Sequence, residues 1–137
     1  MYDLTKAVGP QRPNLPDDVR LITTLFFTLQ SFNDPFMNGI PKVAIGSIFT
    51  PALGQAIVKY QKNLRESNGH NVVDGVIDPL PSRSGDKGDW DSAFSNGAKS
   101  TLSYLCYRMF RISRDVYMKM GDTLNLPWVP DPFDLST

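Results

Sequence analysis

Apolar positions recur in three helical registers along this chain, separated by turn signals. In the first, Val19, Ile22, Leu25, Phe26 and Leu29 fall at steps of three and four, with Leu21 and Phe27 widening the face. Asn14-Leu15-Pro16-Asp17-Asp18 marks its start, because proline fits a first turn that needs no N–H and aspartate complements the positive helix end. The pattern ends near Gln30 to Phe32, and Asn33-Asp34-Pro35 and Asn38-Gly39 follow as turns. Ile40 to Ile48, interrupted by Pro41 and Gly46, reads as a short strand or an extended loop. The second helix takes Thr50 as N-cap and Pro51 as first residue. Its stripe is Leu53, Ala56, Ile57, Tyr60 and Leu64, and Asn68-Gly69 stops it.

Val72 to Ile77 holds Asp74-Gly75, a strong short hairpin signal. Residues 80–97 are polar and glycine-rich, with Trp90 and Phe94 the large apolar groups, and read as a long exposed loop. The third register, Leu102, Leu105, Met109, Ile112 and Val116, predicts one helix from about residues 95–98 to Met120, ended by Gly121. A helix of that size is about 33 Å long. Its flank carries Tyr104, Tyr107, Phe110, Tyr117 and Met118, and Arg108, Arg111 and Arg114 form a basic stripe. Residues 124–137 are proline-rich yet contain Trp128, Phe133 and Leu135, which predicts an extended tail laid along a surface. The fold class expected is mostly α: three helices, a short β-hairpin, a long third helix and an extended C-terminal tail.

The 137 residues predict a single domain over 1–137, and 41% apolar with 20% charged residues is ordinary globular composition. Fourteen cations balance fourteen acids, so net charge gives no long-range pull toward nucleic acid or anionic lipid. Residues 1–6 are polar rather than basic-then-apolar, and no apolar run approaches the roughly 18 residues of a membrane span. The expectation is synthesis in the cytoplasm without a signal peptide, with any periplasmic or external location reached by a specialised secretion route.

Candidate chemistry is sparse. Cys106 has no second thiol to pair with and reads as a small buried residue on a helix. Asp86, Asp89 and Asp91 cluster around Gly88, but the distal Glu of a calcium loop is missing. His70 with Asp74 and Asp78 falls short of a zinc ligand set. No phosphate loop, nucleophile elbow or His-Glu-x-x-His occurs. The arginine stripe reads as a solvated helix face, and the aromatic flank as core or interface. No cofactor, no metal and no catalytic residue is expected.

Four segments in order carry a family resemblance. Ala7-Val8-Gly9-Pro10 through Asn14-Leu15-Pro16-Asp17-Asp18-Val19 leads into a helix. Thr50-Pro51 through Lys59-Tyr60-Gln61 is a helix closing on an aromatic-Gln pair. Val73-Asp74-Gly75-Val76-Ile77-Asp78-Pro79 holds the Asp-Gly turn, and Gly97 to Leu105 opens a further helix. Over residues 7–105 this resembles the peptidoglycan-binding-domain-like family of small three-helix modules. The resemblance implies a non-catalytic wall-binding module, with Trp90, Asp74 and Tyr60 as ligand contacts. It departs from the family in a segment inserted at about 82–96 and in the helix extension and tail of 106–137. Similar modules occur in type VI and other contractile injection systems. That setting implies the alternative of a protein-interaction or assembly module, using Tyr107, Arg111, Trp128 and Phe133 toward a partner or a homo-oligomer.

Overall fold

A computed structural model describes residues 2–68, 72–80 and 100–127. The protein is mostly helical: among these residues lie α1 (Pro16–Ser31), a 3-10 turn (Pro35–Met37), α2 (Pro51–Asn68), α3 (Thr101–Ile112) and α4 (Arg114–Lys119). In α1, Pro16 and the two aspartates occupy the first turn, and Val19, Leu21, Ile22, Leu25, Phe26 and Leu29 are buried. The Asn33 backbone turns left-handed directly after it (φ 56), a conformation asparagine tolerates. In α2, the Thr50 hydroxyl caps the helix by accepting from the Leu53 N–H at 3.1 Å. Its buried stripe is Leu53, Ala56, Ile57, Tyr60 and Leu64.

The third helix is not the single rod its periodicity predicts. Ser113 is extended (φ −154, ψ 99) and divides it. The Ser113 N–H closes α3 onto the Met109 carbonyl at 2.9 Å, while its hydroxyl caps α4 by accepting from Val116 at 3.3 Å. The twelve residues of α3 span about 18 Å, not 33 Å. Beyond the break Tyr117 is fully buried, edge-on to Tyr2 at 5.3 Å and to Phe110 at 6.0 Å.

The Asp74-Gly75 turn forms, with Gly75 left-handed (φ 75), but residues 72–80 do not pair with one another as a hairpin. Ile77 instead makes an isolated antiparallel bridge with Val8, through Val8 N to Ile77 O at 3.0 Å and Ile77 N to Val8 O at 2.8 Å. The N-terminal segment is accordingly internal: Leu4 and Val8 are fully buried in the core shared by α1, α2 and α3. It is also tied to the far end of the chain. The Tyr2 hydroxyl donates to the Tyr117 carbonyl at 2.9 Å and accepts from Gly121 N at 3.0 Å. Of the expected tail, Leu124 and Leu126 pack against the core, Asn125 N donates to Asp17, and Asp3 N donates to the Pro127 carbonyl. Residues 128–137 lie outside the described residues.

Candidate functional site

The turn expected to face a ligand is built around Gln61. One helical face of α2 carries Val58 and Gln61 toward residues 74–76. Gln61 is fully buried. Its Oε1 accepts from Asp74 N at 3.1 Å and Gly75 N at 2.9 Å. Its Nε2 shares its hydrogens among Val76 O at 3.0 Å, Thr101 Oγ at 3.1 Å and Asp74 Oδ1 at 3.2 Å. One amide thus fastens α2, the Asp-Gly turn and the start of α3. Asp74 reinforces the turn, its Oδ1 also accepting from Val76 N at 3.0 Å. A short carboxylate does this in a tight turn whatever the module binds.

Asp74 is exposed at the surface, although one carboxylate oxygen is held by the turn. Tyr60 is wholly buried and stands edge-on to Phe26 at 5.4 Å. That position makes it a core residue, out of reach of a ligand at the surface and against its expected role as a ligand contact. Burial also pushes its phenol well above the ordinary range. Trp90, the third expected contact, lies outside the described residues, as do Trp128, Phe133, His70 and the Asp86–Asp91 cluster. Tyr107 is half-buried and Arg111 exposed, one turn apart on α3.

Among the described residues the buried carboxylates Asp3, Asp18 and Asp34 each hold structure together. Asp3 accepts from Leu4 N and Leu80 N, both at 2.8 Å. Asp18, expected only to complement the helix end, also accepts from Thr5 N at 2.9 Å and Lys6 N at 3.0 Å. Asp34 caps Phe36 N at 3.1 Å and pairs with Arg108. Arg108 is therefore not part of a solvated stripe: it crosses from α3 to the corner after α1 and lies over the Phe36 ring, 5.2 Å from its centroid. Nothing in the spacing could signal a partner 74 residues away. Cys106 is fully buried, and desolvation pushes its thiol up to about 12. Among the described residues no group of three His, Cys, Asp or Glu is placed to hold a metal, and no helix is long and apolar enough to cross a membrane.

Among the described residues an open cleft of about 300 Å³ is lined by Tyr2, Met118, Gly121, Asp122, Leu124 and Leu126. Another, of about 440 Å³, follows the corner from Gln30 through Asp34 to Lys42. The Gln30 amide is already engaged by the backbone of residues 40–43. No family model, curated protein or solved structure matches the chain.

Proposed function

We propose that the protein is a non-catalytic binding module on a peptidoglycan-binding-like frame, and that its ligand is the bacterial cell wall. The observation that carries this reading is the Gln61 junction. It joins, in one hydrogen-bond network, the Tyr60-Gln61 pair within α2, the Asp-Gly turn and the start of the next helix. These residues also carry the family resemblance, although α2 runs on to Asn68 rather than closing at that pair. The non-catalytic part is supported by Asp3, Asp18 and Asp34, each held by backbone N–H groups or a guanidinium, and by a thiol kept protonated. A general acid or base must instead reach a substrate proton. Wall contact is expected around Asp74 and the segment containing Trp90. Purified sacculi should retain the protein above a control of equal size and charge. Equal retention of both would overturn the wall-binding reading.

The exposed face of α3 and α4 favours a second reading, an assembly module of a secretion or contractile injection apparatus. Arg111 lies there close in sequence to Val116 and Met118, which are 38% and 41% exposed, beside half-buried Tyr107. Arginine, aromatic and methionine side chains are the types enriched at protein interfaces. Light scattering on the full chain, on a truncation after Pro127 and on Arg111→Glu tests self-association. A full chain that is monomeric, and stays so in both variants, rules self-association out.

A further inference from the structure

A net charge of zero conceals a strong segregation. From Val19 to Arg65 the chain carries five cations, Arg20, Lys42, Lys59, Lys62 and Arg65, and a single acid, Asp34. All five cations are exposed. The Asp34 side chain is fully buried against Arg108. This stretch therefore presents positive charge with no exposed carboxylate of its own.

Its geometry brings cations and apolar groups onto one face. Residues 40–46 form a strap that runs back along α1. Gln30 holds one end, accepting from Val43 N at 2.9 Å and donating to Pro41 O at 3.0 Å. Thr23 holds the other, accepting from Gly46 N at 3.1 Å. Phe27 lies between these anchors on the same helical face, four residues after Thr23 and three before Gln30. It is 47% exposed, Ile45 on the strap 40%, and Ile48 just beyond it 79%. Lys42 is on the strap, Arg20 one turn before Thr23, and the Lys59 stem passes beside Gly39 where the strap begins. Single exposed apolar residues are normal. Three along this helix and strap, where cations outnumber the flanking carboxylate Asp17, whose Oδ2 accepts from Asn125 N, have the pattern of a surface that enters a lipid headgroup layer.

We propose that this face rests on an anionic membrane. Arg20, Lys42 and Lys59 engage headgroup phosphates while Phe27, Ile45 and Ile48 reach the acyl boundary. Two points favour lipid over an acidic protein. Lysine is depleted at protein interfaces, whereas each Lys or Arg near anionic lipid adds to membrane attraction. A bilayer also accepts dispersed apolar side chains without a shaped pocket. The surface uses neither Asp74, Tyr107 nor Arg111, so it stands apart from the wall-binding and assembly readings.

Co-sedimentation of the full chain with phosphatidylcholine vesicles, with and without one phosphatidylglycerol in three, tests this. Binding is expected only with phosphatidylglycerol, and it should weaken as salt rises. The pair Arg20→Glu/Lys42→Glu should lower partitioning about twentyfold or more, and Ile48→Ser about fivefold. The pair Lys6→Glu/Lys119→Glu, in the N-terminal segment and on α4, outside the strap and α1, should leave it unchanged. Thermal melts of these exposed-site variants should match the parent, which keeps folding out of the comparison. Equal binding to both vesicles would overturn the proposal. So would full binding by Ile48→Ser with loss by the charge-reversed pair, because that is a surface for a soluble polyanion or an acidic protein.

Discussion

Arg108 grips Asp34 with two hydrogen bonds, Nε to Oδ2 at 3.1 Å and Nη2 to Oδ1 at 3.3 Å. The Asp34 side chain is fully buried and the Arg108 side chain about a quarter exposed, at 26%. The two partners therefore differ in what their loss does. Arg108→Met strands a buried charge and should cost about 3 kcal/mol. Asp34→Asn keeps an oxygen for the Phe36 N–H and frees an arginine that can still reach water, so it should cost less, about 1–2 kcal/mol. Urea titration of both variants and the double mutant checks the asymmetry. Equal costs would mean the pair is not desolvated as described.

The Gln61 amide leads to a second expectation. Gln61→Ala leaves the Asp74 and Gly75 N–H groups without their acceptor and should destabilise by about 3 kcal/mol. Gln61→Glu is more informative. It keeps the acceptor but sets a carboxylate against Asp74 Oδ1 and the Val76 carbonyl, which now receive a hydrogen from Nε2. The new carboxyl should have a raised pKa in the folded state. The folded form then binds more protons than the unfolded form, so relative to the parent its stability rises as pH falls below neutral. Chemical denaturation of parent and variant across acid to neutral pH should show that gap narrowing toward acid. A gap independent of pH would refute the donor assignment at Nε2.

How far the sequence anticipates these features depends on whether their causes are local. The first turns of α1 and α2 are readable because Pro16, Asp17, Thr50 and Pro51 act within one turn of themselves. The Asp74-Gly75 turn is readable for the same reason, but its strand partner is not, since Val8 is 69 positions from Ile77. The break at Ser113 is invisible to periodicity, because Met109, Ile112 and Val116 keep helical spacing straight through it. Across the break Tyr117 packs with Tyr2, a residue at the other end of the chain. Of the candidate site, Asp74 sits where its turn chemistry puts it. Tyr60 does not, because an aromatic on an apolar stripe is core when a helix packs on that stripe.

Gly121 lies directly against Tyr2 of the N-terminal segment. A Cβ there would collide with the Tyr2 ring at Cε1. Gly121→Ala should therefore push Tyr2 off the carbonyls of Tyr117 and Met118, at a cost of about 2 kcal/mol. Tyr2→Phe removes those hydrogen bonds and the acceptor for Gly121 N but keeps the ring, and should cost about 1 kcal/mol. If the clash acts through Tyr2, combining Gly121→Ala with Tyr2→Ala should cost less than the sum of the two single changes. Additive melting shifts would place the glycine's role elsewhere.

Cys106 offers a probe of the core they enclose. Burial raises its thiol from the ordinary 9.0 to about 12, so the folded protein holds a neutral thiol while the unfolded chain ionises first. Above about pH 9 the unfolded state binds fewer protons than the folded one, and this group's contribution to stability falls as pH climbs toward 12. Cys106→Ala removes that dependence, so parent and variant should converge in stability over the alkaline range. The same burial governs reactivity, because the thiolate is the nucleophile and the native core supplies neither ionisation nor access. A disulfide reagent at neutral pH should leave the native thiol untouched and modify it only through opening of the core. Labelling rates should therefore rise with urea in step with unfolding. Rapid labelling of the native protein would show that α3 and the N-terminal segment part without global unfolding.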